Sequence, residues 1–155
     1  MDNLESLYKQ VIMEHYKYPH NKGLLDNDSY KKVHLNNPSC GDDITVQFVI
    51  EDGIIKDIKQ DGHGCSICMS SASVMTDVIM GKTVERAKEL IQEFLDLLTG
   101  KEVDDEELMD AIVYQGVSKF PARIKCAGIS WKAIKKGIEE DYYERKRFKR
   151  YCWWI

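Results

Sequence analysis

At 155 residues, with 43% of them apolar and 31% charged, the chain has the composition of one globular domain with a real core. A net charge of −4 gives no reason to expect nucleic acid as a partner, no stretch is long and apolar enough to span a bilayer, and Met1-Asp2-Asn3-Leu4-Glu5 lacks the basic and apolar regions of a signal peptide. A cytoplasmic protein without stable membrane association is expected, and its five cysteines are then free or metal-bound thiols rather than a disulfide framework.

Leu4, Leu7, Tyr8, Val11, Ile12 and His15 recur at helical spacing, so an amphipathic helix opens the chain and ends near Pro19. Residues 21–29 read as a polar loop, and Val33 and Leu35 mark a short strand. Ile44, Val46, Phe48 and Ile50 alternate along a second strand. Asp52-Gly53 supplies the positive backbone angles of a two-residue hairpin turn, and residues 54–60 return as its partner. From Ser66 the pattern is helical. Ser66 is the expected cap of a helix carrying Ala72, Met75 and Ile79, with Gly81 as its stop. Thr83 caps a helix whose stripe is Ala87, Leu90, Ile91, Phe94 and Leu98, with Gly100 beyond it. Asp104 with Glu107 reads as a capping pair for a short helix ending near Gly116. After Cys126 a last helix carries Ala127, Trp131, Ile134, Ile138 and Tyr142. The expected fold is α+β: a small three-stranded antiparallel sheet packed by several helices, in one domain spanning 1–155 with a basic-aromatic C-terminal tail at 144–155.

Three separated motifs each place a cysteine beside Gly or Pro: Asn37-Pro38-Ser39-Cys40-Gly41-Asp42, Gly62-His63-Gly64-Cys65, and Phe120-Pro121 through Cys126. Cys40 precedes the first hairpin strand and Cys65 follows the second, so antiparallel pairing makes them neighbours. Three thiolates and one oxygen ligand make a tetrahedral zinc site. Gly41 permits the tight turn that lets Cys40 and Asp42 face one ion. Three thiolates and a carboxylate leave a net charge of about −2 around a 2+ ion, which Arg123 and Lys125 can offset. A closed zinc site that only holds the fold is one alternative. A redox pair at Cys65-Ser66-Ile67-Cys68 is another, set against the plainer reading of Cys68 as a small buried residue on a helix.

Taken in order, the three motifs, with Ser70-Ser71-Ala72-Ser73 after the second and Trp131 after the third, resemble those of the SufU/IscU-type iron–sulfur cluster assembly proteins over nearly the whole chain. The scaffold (IscU) branch has a histidine immediately before the third cysteine and a Leu-Pro-Pro-Val-Lys motif upstream. Here Lys125 and Phe120-Pro121-Ala122-Arg123-Ile124 stand in those places, and an extra helical segment near 103–116 is shared with the SufU branch. The resemblance therefore implies a SufE/IscU-like fold and a zinc-dependent sulfurtransferase working with a SufS-type cysteine desulfurase and a downstream iron–sulfur scaffold. It implies zinc on Cys40, Asp42, Cys65 and Cys126, with Cys40 accepting persulfide sulfur and Arg123 steadying the thiolate or persulfide. The alternative function is a scaffold that itself carries a transient iron–sulfur cluster on the same thiolates. Cys68 departs from the serine expected at its place.

His63 reads as a polar residue in a glycine-rich turn, and His15, His20 and His34 show no spacing that points to a site. Arg145 to Arg150 followed by Cys152-Trp153-Trp154-Ile155 has the form of a prenylation signal, but Ile is a poor last residue and the tryptophans are bulky; a basic helix end with an aromatic tail is the better reading.

Overall fold

The computed structural model describes residues 3–152, with side chains described for residues 4–149. Three strands form one antiparallel sheet in the order β1-β2-β3: β1 (Lys31–Asn37), β2 (Asp42–Glu51) and β3 (Ile54–His63). Around it lie α1 (Asn3–Lys17), α2 (Ser66–Ile79), α3 (Val84–Leu98), a 3-10 segment (Glu106–Lys119) and α4 (Pro121–Cys152). This is the α+β architecture expected. None of the described helices is long and apolar enough to cross a membrane.

The β2–β3 hairpin forms where local chirality demands it. Asp52 and Gly53 both take positive φ, 54° and 74°, the turn whose twist matches two right-twisted strands. Ile44, Val46 and Phe48 of β2 and Ile55 and Ile58 of β3 are buried on the face covered by helices. A register shift between Val49 and Ile50 interrupts the alternation, which leaves Ile50 only partly buried. β3 runs three residues past the expected end, to His63, because Asp43 still pairs with His63 across the sheet.

α4 crosses β1 and β2 and approaches them closely at Gly137: a Cβ there would stand 2.4 Å from the Phe48 ring. α2 is nearly all buried and runs between α1 and α4. Its serines are satisfied across the helix interfaces. Tyr114 donates to Ser70 Oγ at 2.7 Å, Trp131 Nε1 donates to Ser71 Oγ at 3.0 Å, and Ser71 donates to the Ala127 carbonyl at 2.6 Å. Leaving any one of these buried groups unpaired costs about 1–3 kcal/mol, so the Ser70-Ser71-Ala72-Ser73 run is a hydrogen-bonded seam rather than chemistry. Trp131 stacks on Phe94 with ring centroids 3.9 Å apart, and Tyr114 meets Phe94 edge-on at 5.9 Å.

Four expectations need correction. Cys65, not Ser66, is the N-cap of α2, and no side chain caps that end. Asp105, not Asp104, caps the segment near 106, accepting the Glu107 N–H at 3.0 Å. That segment is 3-10 rather than α-helical and runs to Lys119. Four of its five buried residues, Leu108, Ala111, Tyr114 and Val117, recur every third position, the period of a 3-10 helix, with Val113 buried beside Tyr114, and Met109 breaks it with φ 51° and ψ −125°. α4 begins at Pro121, where the missing proline N–H is harmless, so Cys126 lies inside a helix rather than at an element end. The basic residues from Arg145 to Lys149 continue α4; of the expected tail, Trp153 to Ile155 lie outside the described residues.

Candidate metal centre

The loop between β1 and β2 is built by Asn37. Its side-chain oxygen accepts from Ser39 N–H at 3.2 Å and Ser39 Oγ at 2.7 Å, and its carbonyl accepts from Cys40 N–H at 3.3 Å and Gly41 N–H at 2.9 Å. Gly41 then turns the chain at φ 75°, a left-handed conformation that suits glycine, and Asp42 starts β2 on the same side as Cys40. The result is an exposed Cys40 above a buried Asp42, with Sγ and Oδ2 3.0 Å apart. α4 brings in Cys126, buried, whose Sγ is 3.6 Å from that of Cys40. Ligand atoms of Cys40, Asp42 and Cys126 all lie within 4.8 Å of one another.

These distances suit a metal. Two thiolates at metal–sulfur distances of about 2.3 Å span a tetrahedral edge of about 3.8 Å, close to the 3.6 Å observed. The donor set, soft thiolates with one carboxylate, is one that zinc accepts. Cys65 stands at the rim. Its thiol lies outside the mutual 4.8 Å set, while its backbone N–H donates to Asp42 Oδ1 at 3.1 Å. Because Cys65 is an N-cap whose side chain makes no capping bond, its thiol is left for the site. Gly64 closes the arrangement: a Cβ there would stand 2.5 Å from Asp42 Oδ1 and push the carboxylate out of place.

The electrostatics follow from burial and these contacts. Burial opposes the charge on Asp42, but hydrogen bonds from Cys126, Cys40 and Cys65 together outweigh it and hold the carboxyl below its ordinary range. Burial first, then hydrogen bonding to Asp42 and the neighbouring thiols, pushes the Cys126 thiol well up. Arg123, exposed on the first turn of α4, is held more firmly charged by Cys65 first and Cys126 second. Its guanidinium therefore interacts with the Cys65 and Cys126 thiols. Lys125 and His63 are both exposed, and His63 joins no cluster of metal-ligating groups among the described residues.

Cys68 is fully buried among Ile44, Met69, Ala72 and Ile129, beside Cys126. Burial first, and the nearby charge of Asp42 second, push its thiol well up, the reverse of what a redox nucleophile needs. Cys68→Ala is expected to cost about 1–2 kcal/mol in a denaturant titration through lost packing and to leave metal stoichiometry unchanged. A loss of bound metal in that variant would instead make Cys68 part of the centre.

Residues 7–149 match the family model described as the NifU-like N-terminal domain. The chain belongs to that family. Over 90% of its length it is 53% identical to the zinc-dependent sulfurtransferase SufU of Bacillus subtilis (strain 168), covering 94% of that protein. It is 40% identical to the iron–sulfur cluster assembly scaffold protein IscU of Streptococcus pyogenes serotype M1, over 91% of this chain and 88% of that one. A crystal structure from Fervidobacterium islandicum AW-1, described as a candidate iron–sulfur cluster assembly scaffold protein for the SUF system, superposes with a TM-score of 0.73 at 32% identity, covering 86% of this chain and 98% of that one. The family resemblance and fold read from the three motifs are thus correct for this NifU-like domain.

What sequence reasoning missed is a second grouping. His15, His20 and Asp77 bring their ligand atoms within 4.8 Å of one another although they are far apart in the chain. No local signal marks it, since the partners come from α1, the following loop and α2.

Proposed function

We propose that this NifU-like domain protein is a zinc-bound sulfur acceptor, taking persulfide sulfur from a SufS-type cysteine desulfurase onto Cys40 in the reducing cytoplasm and passing it to a downstream iron–sulfur scaffold. The observation that carries the reading is the asymmetry of the thiols: Cys40 is exposed, while its neighbours Asp42 and Cys126 are buried. A partner can reach Cys40 without opening the core. Cys40, Asp42, Cys65 and Cys126 are the proposed ligands. Zinc there would keep the thiols deprotonated despite the burial that favours their neutral forms.

The transfer balances without an external oxidant. The Cys40 thiolate attacks the outer, sulfane sulfur of the partner's persulfide. A new S–S bond forms on Cys40, the S–S bond of the partner breaks, and the partner's cysteine leaves as a thiolate. Asp42, Cys65 and Cys126 stay in place, and Arg123 offsets the negative charge that gathers at Cys65 and Cys126. The share of identity with the Bacillus sulfurtransferase and Lys125 in the position before the third cysteine support transfer over scaffolding. The likeness to the Streptococcus scaffold supports the other reading.

Desulfurase turnover in the presence of this protein, before and after zinc removal, separates them. Stimulation that needs about one zinc per chain, in a colourless protein, is the expected result. A brown protein whose iron and sulfide rise together during turnover, with no dependence on zinc, overturns it in favour of a scaffold.

A further inference from the structure

His15 sits in the last turn of α1, only 5% exposed. Its Nε2 is 3.0 Å from Asp110 Oδ2 and its Nδ1 is 2.8 Å from Ser73 Oγ. The same Ser73 Oγ accepts the backbone N–H of His20 at 2.8 Å, which seats the loop beside the helix end. The two imidazoles lie with ring centroids 4.8 Å apart, tilted by 58°. His20 Nδ1 in turn meets Asp77 Oδ2 at 2.6 Å, and Asp77 is one turn beyond Ser73 on α2.

We propose that His15, His20 and Asp77 form a second metal site, for a borderline first-row divalent ion such as zinc, distinct from the thiolate centre. The two are well separated, since Asp77 lies about 14 Å of helical rise beyond Cys68 along α2. Their donor atoms already fall within 4.8 Å of one another. In a tetrahedron with metal–nitrogen and metal–oxygen distances of about 2.0–2.1 Å, ligand atoms stand about 3.3 Å apart, so His20 and Asp77 separate by a fraction of an ångström to admit the ion. With the Nε2 proton donated to the Asp110 carboxylate, Nδ1 of His15 carries the lone pair that accepts from Ser73 Oγ–H, and an ion bound there would take the place of that hydrogen bond. A carboxylate behind a ligating imidazole is the usual outer support of such a ligand, fixing its tautomer and orientation.

Charge and access agree. Asp77 and Asp110 together supply two negative charges for a 2+ ion. The side chains of His20 and Asp77 are 52% and 31% exposed, so the ion has a way in and a position left for water. Imidazole with carboxylate selects zinc, cobalt or nickel rather than the soft ions that prefer thiolate alone. Bound there, the ion would clamp the end of α1 and its following loop onto α2. The competing reading is a strap of ordinary hydrogen bonds between the same elements, with no ion.

Titration of the metal-free full chain with zinc and with cobalt tests it. Wild type is expected to take two equivalents, the second raising the melting temperature. His20→Ala and Asp77→Asn are expected to take one, or to bind the second at least 10-fold more weakly, with no further rise in melting temperature. Cobalt at the thiolate centre gives an intense sulfur charge-transfer band, whereas cobalt on imidazole and carboxylate gives only weak ligand-field absorption. That first band should be the same in wild type and both variants. Equal stoichiometry and equal affinities in wild type and the His20 and Asp77 variants would overturn the proposal and leave the strap. His20 is exposed at the surface, so its truncation leaves the fold intact for the comparison.

Discussion

Cys40→Ala is expected to reduce sulfur uptake from a persulfide donor by more than about 100-fold, to the background of the other thiols, while a substantial part of the bound zinc remains. Cys40 is the exposed member of the set, and an attacking sulfur must be reachable and must keep a lone pair directed outward. Cys126 cannot replace it: it is fully buried and, without metal, held as the neutral thiol by burial first and by hydrogen bonding to Asp42 second. Cys65 is half-buried at the N-terminus of α2. The remaining oxygen and two sulfurs still offer three ligands, which is why metal loss is partial. Mass spectrometry of the chain after incubation with persulfidated desulfurase reads the added sulfur directly, and metal analysis of the same sample reads the zinc. Sulfur uptake at the wild-type level in Cys40→Ala would end the assignment of Cys40 as acceptor.

Asp42→Ala is expected to weaken zinc binding by more than about 100-fold, measured by competition with a chelator of known affinity; loss of supporting groups outside the ligand set alone typically costs 10–100-fold. Asp42 does three things at once. Oδ2 faces Cys40, Oδ1 accepts the backbone N–H that orients Cys65, and its charge sits at the start of β2 where burial would otherwise disfavour it. The variant therefore loses a proposed ligand and frees the N-cap of α2 together. Unchanged affinity in Asp42→Ala would remove the carboxylate from the centre.

The same contacts set the pH dependence. Zinc bound as proposed would displace the Cys126 proton, and burial pushes that thiol above its ordinary range, so affinity is expected to rise as pH rises through the neutral and alkaline range. Asp42 acts at the other end. Its folded-state pKa is lowered, so the stability it contributes is present above the ordinary carboxylate value of about 3.9 and is lost as pH falls through the lower folded value.

Much of this was legible without coordinates, for reasons that can be named. The β2–β3 hairpin rests on Asp52-Gly53, whose positive φ values are a local preference of those two residues. The α3 stripe and its Thr83 cap are equally local; Thr83 accepts the Arg86 N–H at 3.2 Å. Antiparallel pairing alone implies that the ends of β2 and β3 meet, and Asp43 does pair with His63, which brings the Cys65 N–H to Asp42. Leu108, Ala111, Tyr114 and Val117 carry the 3-10 period openly, but a search at 3.6 residues per turn reads them as a short α-helix. Pro121 is itself a visible start signal for α4, although the apolar stripe that marks the helix begins only after Cys126.

What the chain determined by itself is the set of local elements and the family, because backbone preference and motif spacing act over a few residues. Tertiary structure alone decided how the thiols differ. Cys40 is exposed and Cys126 buried because one lies on a hairpin loop and the other on the inner face of α4. Cys68 is withdrawn from chemistry because α2 turns it toward Ile44 and Ile129. Arg123 acts on Cys65 and Cys126 because α4 begins beside them. The meeting of His15, His20 and Asp77 belongs to the same class, since it exists only once α1 lies along α2. Burial and long-range proximity are properties of packing, which local pattern anticipates only where an element's own period implies a buried face, as for Cys68 on α2.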